Sequence, residues 1–285
     1  MGLPYFLTPA GISAIAQLKQ LPATLHVSLD VEKSTTTIKV NQNNIEVEGT
    51  VIPLPPATLL KEDDNRTIFI FRGKQWEKWQ YFDPESGRLY KPVFVAPGKP
   101  PTVEISGIKM HVTENGDPLK DTHQKLRFLR GTKGRVWDTC CGMGYSAIGL
   151  AHLPGVSLVV TSEIDLTMLA ICQENPWAQP LWHRPDIQVV HANSATLVSM
   201  LRDGSLAGVL HDPPRFALAP ELYEVVFYRE LWRVLRNGGR LYHYTGNPKK
   251  HQAKTLPVRT AHRLRQAGFQ EVRLCYQGVC ARKRL

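Results

Sequence analysis

A glycine-rich turn is the first stretch of this chain whose residue types and spacing indicate chemistry. It lies in the sequence VWDTCCGMGYSAIG of residues 136–149, where Gly142 and Gly144 follow a short apolar run. Glycines let the chain reverse tightly and leave its exposed backbone N–H groups open to a ligand, because no Cβ stands in the way. Cys140 occupies the first position of the usual Gly-x-Gly-x-Gly pattern. The spacing predicts a cofactor loop between a strand and a helix.

A carboxylate further along the chain supports this prediction. Glu163 lies about twenty-five residues after Asp138 and follows the apolar run 158–161. In a doubly wound sheet this position is the carboxyl end of the second strand, where a carboxylate accepts hydrogen bonds from both hydroxyls of a ribose. The loop and the carboxylate together predict a cofactor that contains a nucleoside.

A third set of polar residues follows the buried strand predicted over 206–210. It reads His211-Asp212-Pro213-Pro214-Arg215-Phe216, and an amphipathic helix then leads to Asn237-Gly238-Gly239. Together with the glycine loop and Glu163, this order resembles the class I S-adenosylmethionine-dependent methyltransferases. The segment 212–239 also resembles its counterpart in the spermidine synthases, which share that fold. From about residue 25 to its end, the chain looks like the predicted prokaryotic methyltransferases of this spermidine-synthase-like group.

The resemblance implies S-adenosylmethionine as the cofactor and gives roles to particular residues. Asn193 stands where relatives often carry an aspartate that accepts a hydrogen bond from the adenine amine, and its amide oxygen can do the same. Met110 and His111 fall in a strand that runs over the cofactor site in spermidine synthases, so the resemblance implies that they line the substrate site; His111 also fits a surface position. The implied cofactor-binding residues are Asp138, Cys140, Gly142, Gly144, Tyr145, Glu163, Ile164, Asn193, Ser194 and His211.

The Asp-Pro-Pro motif is implied to hold the acceptor. In the amino-methyltransferases it resembles, a side-chain oxygen and a backbone carbonyl point at an amine and an aromatic ring flanks it; the alternative is a rigid turn without a role in chemistry. Spermidine synthases place a second aspartate near the position of Arg215, where a guanidinium repels a cationic polyamine. An anionic or neutral acceptor fits better. The predicted catalytic residues are Asp212, Pro213, Arg215 and Phe216.

The net charge of +10 is concentrated toward the C-terminus. Residues 1–100 contain 11 Lys and Arg against 10 Asp and Glu, whereas residues 235–285 contain 12 against 1. Such a surface attracts phosphates and most often binds nucleic acid, although a solvated face that serves solubility is the simpler interpretation. A basic loop follows the predicted strand 241–244, at the edge where doubly wound folds bind ligands. Arg215, Tyr244, Lys249 and Lys250 are therefore predicted to bind the substrate, with RNA as the favoured partner.

The remaining pattern predicts an α/β fold with a doubly wound sheet and a small β-rich N-terminal domain, and the resemblance implies that this sheet is the Rossmann-like sheet of the methyltransferases. Alternating runs at 25–31, 36–40 and 45–48, and again at 67–71, 75–82 and 88–95, indicate two antiparallel units. The proline-rich stretch 96–102 is typical of a linker, which sets the domains at residues 1–100 and 101–285. Strands that alternate with helices after the glycine loop imply a parallel sheet, closed by a helix at 258–267 and a hairpin.

Composition limits the class of protein. With 285 residues and 42% apolar content the chain can bury a large core, and no apolar run approaches the length of a membrane span. Five cysteines without paired CxxC spacing favour reduced thiols and no structural metal. We expect a soluble, cytoplasmic protein. A substrate platform, a homodimer contact and a lid are all compatible with the N-terminal unit.

Three functions stay open at this point. The favoured one is methyl transfer from S-adenosylmethionine to an anionic acceptor, with RNA or tRNA ahead of a small anionic metabolite. The second is aminopropyl transfer to an amine, as in spermidine synthases. The third is a non-catalytic scaffold, which the glycine loop, Glu163 and Asp212 disfavour. Uridine C5 methylation of RNA is set aside, because Cys275 and Cys280 lie in the terminal hairpin and not where that mechanism needs its nucleophile.

Overall fold

The chain divides into two compact units. The computed structural model describes residues 4–60, 65–111, 116–246 and 255–284. One unit comprises Met1–Asp121 and Ala170–Gln179, and the other comprises Thr122–Leu169 and Pro180–Leu285. Lys249 and Lys250 lie outside the described residues.

The first unit consists of short strands in three antiparallel sheets. Its elements are β1 (Tyr5–Leu7), α1 (Pro9–Ala16), β2 (Ala23–Val27), β3 (Thr36–Val40), β4 (Asn44–Val47), β5 (Thr50–Pro53), α2 (Ala57–Leu60), β6 (Phe69–Arg72), β7 (Gln75–Lys78), β8 (Tyr81–Asp83), β9 (Arg88–Val93), β10 (Thr102–Ile105) and β11 (Ile108–Lys109). The sheets have the strand orders β2-β3-β4-β5, β1-β6-β7 and β11-β10-β9-β8.

The meander β2-β3-β4-β5 follows directly from the alternation in the sequence. Ile38, Val40 and Ile45 are buried, whereas Lys39 and Glu46 between them are exposed and lie opposite each other across the ladder. Successive side chains of a strand point to opposite faces, so this pattern buries one face only. The buried face forms a core that also contains residues of α1.

The second predicted antiparallel unit is divided between two sheets. β6 and β7 pair with each other and with β1, whereas β8 and β9 belong to the sheet of β10 and β11. The division falls at Trp79, which interrupts the single strand expected over 75–82. Its indole is 1% exposed and its Nε1 donates to Glu174 Oε2 at 2.8 Å, a carboxylate that Arg72 and Tyr81 also contact. A buried partner for this side chain therefore ends the regular pairing here.

The second unit contains the large sheet. The elements that follow along the chain are α3 (Pro118–Leu126), a 3-10 turn (Arg127–Leu129), β12 (Gly134–Asp138), α4 (Tyr145–Ala151), β13 (Val156–Glu163), α5 (Leu166–Glu174), a 3-10 turn (Pro176–Ala178), α6 (Pro180–His183), β14 (Ile187–His191), α7 (Ser194–Met200), β15 (Leu206–His211), a 3-10 turn (Pro220–Tyr223), α8 (Val225–Val234), β16 (Leu235–Tyr244), α9 (Thr255–Gln266), β17 (Gln270–Cys275) and β18 (Gly278–Arg282).

The large sheet has the order β14-β13-β12-β15-β16-β18-β17. Its first five strands are parallel, and β18 runs antiparallel to both β16 and β17. Counted along the chain, the parallel strands follow the order 3-2-1-4-5 of a doubly wound sheet. The central strand β15 is buried at every position, as expected for a strand covered on both faces. The predicted α/β class, a doubly wound Rossmann-like sheet accompanied by a β-rich region, is confirmed.

Helices α8 and α9 pack against one face of the terminal strands. Tyr228, Leu264, Leu241, Val279 and Ala281 belong to a single buried cluster. The predicted terminal helix and hairpin are confirmed as α9, β17 and β18. Within the part of the chain that the structure describes, no helix is both long enough and apolar enough to cross a bilayer.

Candidate functional site

The predicted cofactor loop follows β12 at the carboxyl edge of the sheet. Gly142 and Gly144 have φ values of 53° and 80°, in the left-handed region that favours glycine. The Gly144 N–H donates to the Cys141 carbonyl at 2.8 Å, which closes the turn. A Cβ added at Gly144 would lie 2.2 Å from Cδ1 of Leu181. The backbone conformation therefore favours glycine at this position, and any larger residue would also displace the side chain of Leu181.

Asp138, the last residue of β12, is a buried carboxylate with one unsatisfied oxygen. Its Oδ2 accepts hydrogen bonds from Thr161 at 2.8 Å and from Ser146 at 3.0 Å, whereas Oδ1 has no partner. Burial raises the pKa of Asp138 to about 7, and the charges of Asp212 and Glu163 add to this rise. Near neutral pH the group therefore exists in both protonation states.

Glu163 ends β13 and faces the glycine loop. Its Oε2 accepts from the Gly142 N–H at 2.9 Å, and its Oε1 accepts from the N–H groups of Ile164 and Asp165 at 3.0 and 3.1 Å. Burial raises the pKa of Glu163, although these three donors act in the opposite direction. A carboxylate has about four acceptor positions, so Oε2 keeps one for a ligand hydroxyl. Ile164 beside it is 59% exposed, which places an apolar side chain next to this acceptor.

Asn193 and Ser194 follow β14, at the start of α7. The Asn193 Oδ1 accepts the Ala195 N–H at 2.8 Å and thus caps the helix. This oxygen can still accept one more hydrogen bond, as an adenine amine would require. Ser194 is buried and donates to the Thr139 carbonyl, so it positions the loop from inside. Tyr145 and Cys140 are buried and half-buried, respectively.

Asp212, directly after β15, forms an ion pair that the sequence did not indicate. Its Oδ2 lies 2.7 Å from Nζ of Lys125, and the side chains of Lys125 and Asp212 are 7% and 23% exposed. The ammonium also lies 4.3 Å from the ring centre of Tyr244, at the end of β16. An aromatic face attracts a cation, and more strongly where water is excluded. Lys125 is thus held between Asp212 and Tyr244, two of the predicted site residues.

The residues after Asp212 form a turn supported by the protein. Pro213 is buried, and the Pro214 carbonyl accepts the Tyr223 hydroxyl at 2.7 Å. Phe216 is 39% exposed and packs edge-on against Tyr223, with 5.4 Å between ring centres. Arg215 is exposed, and among the described residues its guanidinium has no hydrogen-bond or ion-pair partner. An aromatic ring and an exposed cation therefore follow Asp212 within four residues of the chain.

His211 lies beneath this turn and not in contact with solvent. It is 0% exposed; its Nε2 donates to the Leu222 carbonyl at 2.9 Å and its Nδ1 accepts from the Thr139 hydroxyl at 2.7 Å. Burial lowers the pKa of His211 to about 4, so the ring is neutral. With both nitrogens used inside the protein, His211 supports the backbone of Asp212. Its predicted contact with the cofactor gains no support from this geometry.

The remaining predicted residues belong to the first unit or to residues outside the described ranges. Met110 and His111 follow β11 in the first unit, where Met110 is 37% exposed and His111 Nδ1 lies 2.9 Å from the Thr102 hydroxyl. Their predicted place in the site stays a prediction. Lys249 and Lys250 belong to the loop that the structure does not describe.

The residues at this edge fit a nucleoside cofactor. Glu163 offers an acceptor for a ribose hydroxyl, Ile164 offers an apolar surface, and Asn193 offers an oxygen to an amine. The unpaired Oδ1 of Asp138 shows that the polar groups around the loop are not all satisfied by the protein itself. Lys125 and Thr139 were missed from the sequence. Lys125 stands in no recognisable motif, Thr139 occupies a position of the glycine loop at which the pattern requires no particular residue, and both act through contacts distant along the chain.

Comparisons with known proteins support the fold. No family model matches the chain. An uncharacterized protein of Methanocaldococcus jannaschii is 40% identical over 181 residues, which are 63% of this chain and 62% of that protein. A spermidine synthase from Thermotoga maritima matches with a TM-score of 0.57 at 12% identity, over 93% of this chain and 80% of its own. A spermidine synthase in complex with the transition-state analogue AdoDATO matches with a TM-score of 0.56 at 13% identity, over 93% of this chain and 81% of its own. At such low identity, these two structures show a shared fold.

Replacement of Glu163 tests the predicted ribose contact. Glu163→Ala removes the remaining acceptor and should weaken binding of S-adenosylmethionine by on the order of 2 to 3 kcal/mol, or about 30- to 150-fold. Titration calorimetry measures the dissociation constant. Glu163→Gln keeps one acceptor oxygen, so its dissociation constant should lie between those of the wild type and the alanine variant. An unchanged dissociation constant in the alanine variant would show that the wrong carboxylate has been chosen.

The pKa of Asp138 predicts a pH dependence of stability. An aspartate titrates near 3.8 when unfolded and at about 7 here, so between these values the folded state holds a proton that the unfolded state has released. The free energy of unfolding should therefore fall as pH rises through this window. The free energy of unfolding in urea is measured at each pH for the wild type and for Asp138→Asn. The difference between the two isolates the contribution of Asp138, because the contributions of the other titratable groups cancel. A difference between the two proteins that does not change from about pH 4 to about pH 7 contradicts the shift.

Proposed function

We propose that this protein is an S-adenosylmethionine-dependent methyltransferase whose acceptor is anionic, with RNA favoured over a small anionic metabolite. The observation that carries the proposal is the ion pair between Lys125 and Asp212. A carboxylate at this position is the group that would hold a substrate amine. Here a lysine of the protein already neutralises it.

The charges around Asp212 disfavour a cationic substrate. Lys125 and Asp212 cancel each other, and the free guanidinium of Arg215 follows three residues later. A polyamine would have to displace a largely buried ammonium and then lie near a second positive charge, both of which cost free energy. An acceptor with a phosphate or carboxylate would be attracted by Arg215 and would not have to break the ion pair.

The protein's own residues hold the acceptor in place and provide a group that can accept its proton. When bound, S-adenosylmethionine supplies an electrophilic methyl group, and methyl transfer requires that the nucleophile be held in line with it. The Asp212 Oδ1 is left to accept a hydrogen bond or a proton from the acceptor, since Lys125 binds Oδ2. Phe216, which packs against Tyr223 and is partly exposed, is the aromatic residue that the proposal assigns to the acceptor.

Aminopropyl transfer is the second candidate. It is favoured by the two spermidine synthase structures, whose fold matches 93% of this chain, including its β-rich region. The proposal and this alternative share the fold and a nucleoside cofactor. They differ in the donor, in the leaving nucleoside and in the charge of the acceptor.

Product analysis distinguishes the two reactions. We expect methyl-labelled S-adenosylmethionine and total RNA to give label on RNA and S-adenosylhomocysteine, because an anionic acceptor fits the charges of the site. Label found only on small anionic molecules would rule out RNA as the acceptor. Decarboxylated S-adenosylmethionine with a diamine serves as the parallel reaction. Release of 5′-methylthioadenosine there, with no methyl transfer in the first reaction, would overturn the proposal.

Removal of the Lys125 charge should change substrate preference. Lys125→Met leaves the Asp212 carboxylate without its partner, so methyl transfer should fall at least about tenfold while affinity for a cationic polyamine should rise by a similar factor. Calorimetry with spermidine measures the second effect. Lys120→Met, on the exposed side of the same helix, is the matched control and should change neither quantity. Tight spermidine binding by the wild type would contradict this account of Lys125.

A further inference from the structure

A cavity of about 370 Å³ lies away from the candidate site, and four of its nine lining residues are arginines. Its ionisable lining residues are Arg127, Arg240, Arg273, Arg282 and Glu271. The strand register places these side chains together, because Arg240 lies opposite Arg282 and Arg273 lies opposite Cys280, another lining residue. Residues far apart along the chain thus converge on one face of β16, β18 and β17.

The positive charge of this cavity is not balanced by the protein. Glu271 pairs with Arg282 at 3.3 Å and also contacts Arg284. Among the described residues no carboxylate lies within ion-pair distance of Arg127, Arg240 or Arg273, although the charge of Glu271 acts favourably on Arg240 and Arg273. Arg127 donates to Gln124, Arg240 to a backbone carbonyl and Arg273 to a thiol. Burial and the charge of Arg282 lower the pKa of Arg240. A bound anion would relieve this repulsion.

The chemistry of the lining matches a phosphate carried by a nucleotide. Guanidinium groups bind phosphate through two parallel N–H donors, which a lysine cannot do. Phe128 also lines the cavity, half-buried and stacked on Tyr242 with 5.6 Å between ring centres and 8° between planes. Arginines beside an aromatic ring are the groups that bind single-stranded nucleic acid, because the ring stacks on bases while the cations contact the backbone.

The cavity and the candidate site lie on the same face of β16. Arg240, Tyr242 and Tyr244 alternate with the core residues Leu241 and His243, so all three point to the face opposite α8 and α9. Arg240 lines the cavity, whereas Tyr244 contacts Lys125 and through it Asp212. Tyr244 lies four positions after Arg240, which is roughly 13 Å along the strand. Tyr242 between them is fully buried and stacked on Phe128, so a chain of nucleotides that reaches both Arg240 and Tyr244 would have to pass around this aromatic pair.

We infer that the arginine cavity binds phosphates of a single-stranded RNA segment adjacent to the nucleotide at Asp212. The inference rests on the proposed function and names a second contact region of the same substrate. It also assigns a role to part of the basic C-terminal quarter, in residues other than the loop first predicted.

The test compares two pairs of arginines that carry equal charge. Arg127→Ala/Arg273→Ala removes two guanidinium groups from the cavity. Arg229→Ala/Arg259→Ala removes two exposed ones from α8 and α9, which cover the other face. Binding of a short labelled single-stranded RNA is measured by fluorescence anisotropy without methyl donor, from about 50 to 200 mM NaCl. In the cavity pair, the slope of log K against log salt should become shallower by about 1.4, or about 0.7 per lost contact, and it should not move in the control pair.

Several outcomes would overturn the inference. If the slope of log K against log salt became equally shallow in both pairs, the overall charge of the protein would be what attracts RNA. If the wild type did not bind RNA at all, RNA would not be the ligand. Inorganic phosphate or a mononucleotide bound at the cavity, with RNA binding unchanged in the cavity pair, would assign the site to a small anion. A changed oligomeric state of the cavity pair would assign it to a subunit contact. RNA binding that follows the expected pattern without methyl product would instead contradict the proposed function alone.

Discussion

Thr139, the residue after β12, makes hydrogen bonds on which the geometry of the whole carboxyl edge depends. Its N–H donates to the Leu210 carbonyl at 3.0 Å, its hydroxyl donates to His211, and its carbonyl accepts from Ser162 and Ser194. Thr139 is 1% exposed, so each of these groups would be costly if unpaired. Because the partners belong to β13, β15 and the start of α7, one residue holds the ends of three strands in register where the glycine loop begins.

Three carboxylates meet at this edge, and the protein treats each differently. Glu163 receives three backbone N–H groups, Asp212 receives the ammonium of Lys125, and Asp138 has a pKa of about 7 that lets it carry a proton near neutral pH. Like charges so close would otherwise raise one another's pKa, as the effects of Asp212 and Glu163 on Asp138 show. This edge of the sheet therefore offers hydrogen-bond acceptors to a neutral sugar but carries little net negative charge that would attract a cation.

The sequence predicted what depends on local pattern. Glycine spacing located the loop at Gly142 and Gly144, and alternation located the meander and the sheet, because both signals lie within a few neighbouring residues. Lys125 could not be found in this way, since its partner Asp212 is 87 positions away and a lysine in an amphipathic helix is ordinarily solvated. The predicted β-rich pattern also did not indicate that the chain bends at Trp79, because that bend depends on a carboxylate from residue 174. Both features depend on contacts between residues that are far apart along the chain.

Strand β16 shows how a single element can serve both stability and recognition. Leu241 and His243 face α8 and α9, where Leu241 joins the buried cluster and the His243 Nε2 accepts the Tyr228 hydroxyl at 2.8 Å. Arg240, Tyr242 and Tyr244 face the other way. A strand has a side-chain period of two, so a shift in pairing by one residue would bury arginine in the core and expose leucine. The hydrophobic requirement that places Leu241 against α8 and α9 therefore also fixes the opposite side for Arg240, Tyr242 and Tyr244, where Tyr242 is itself buried against Phe128.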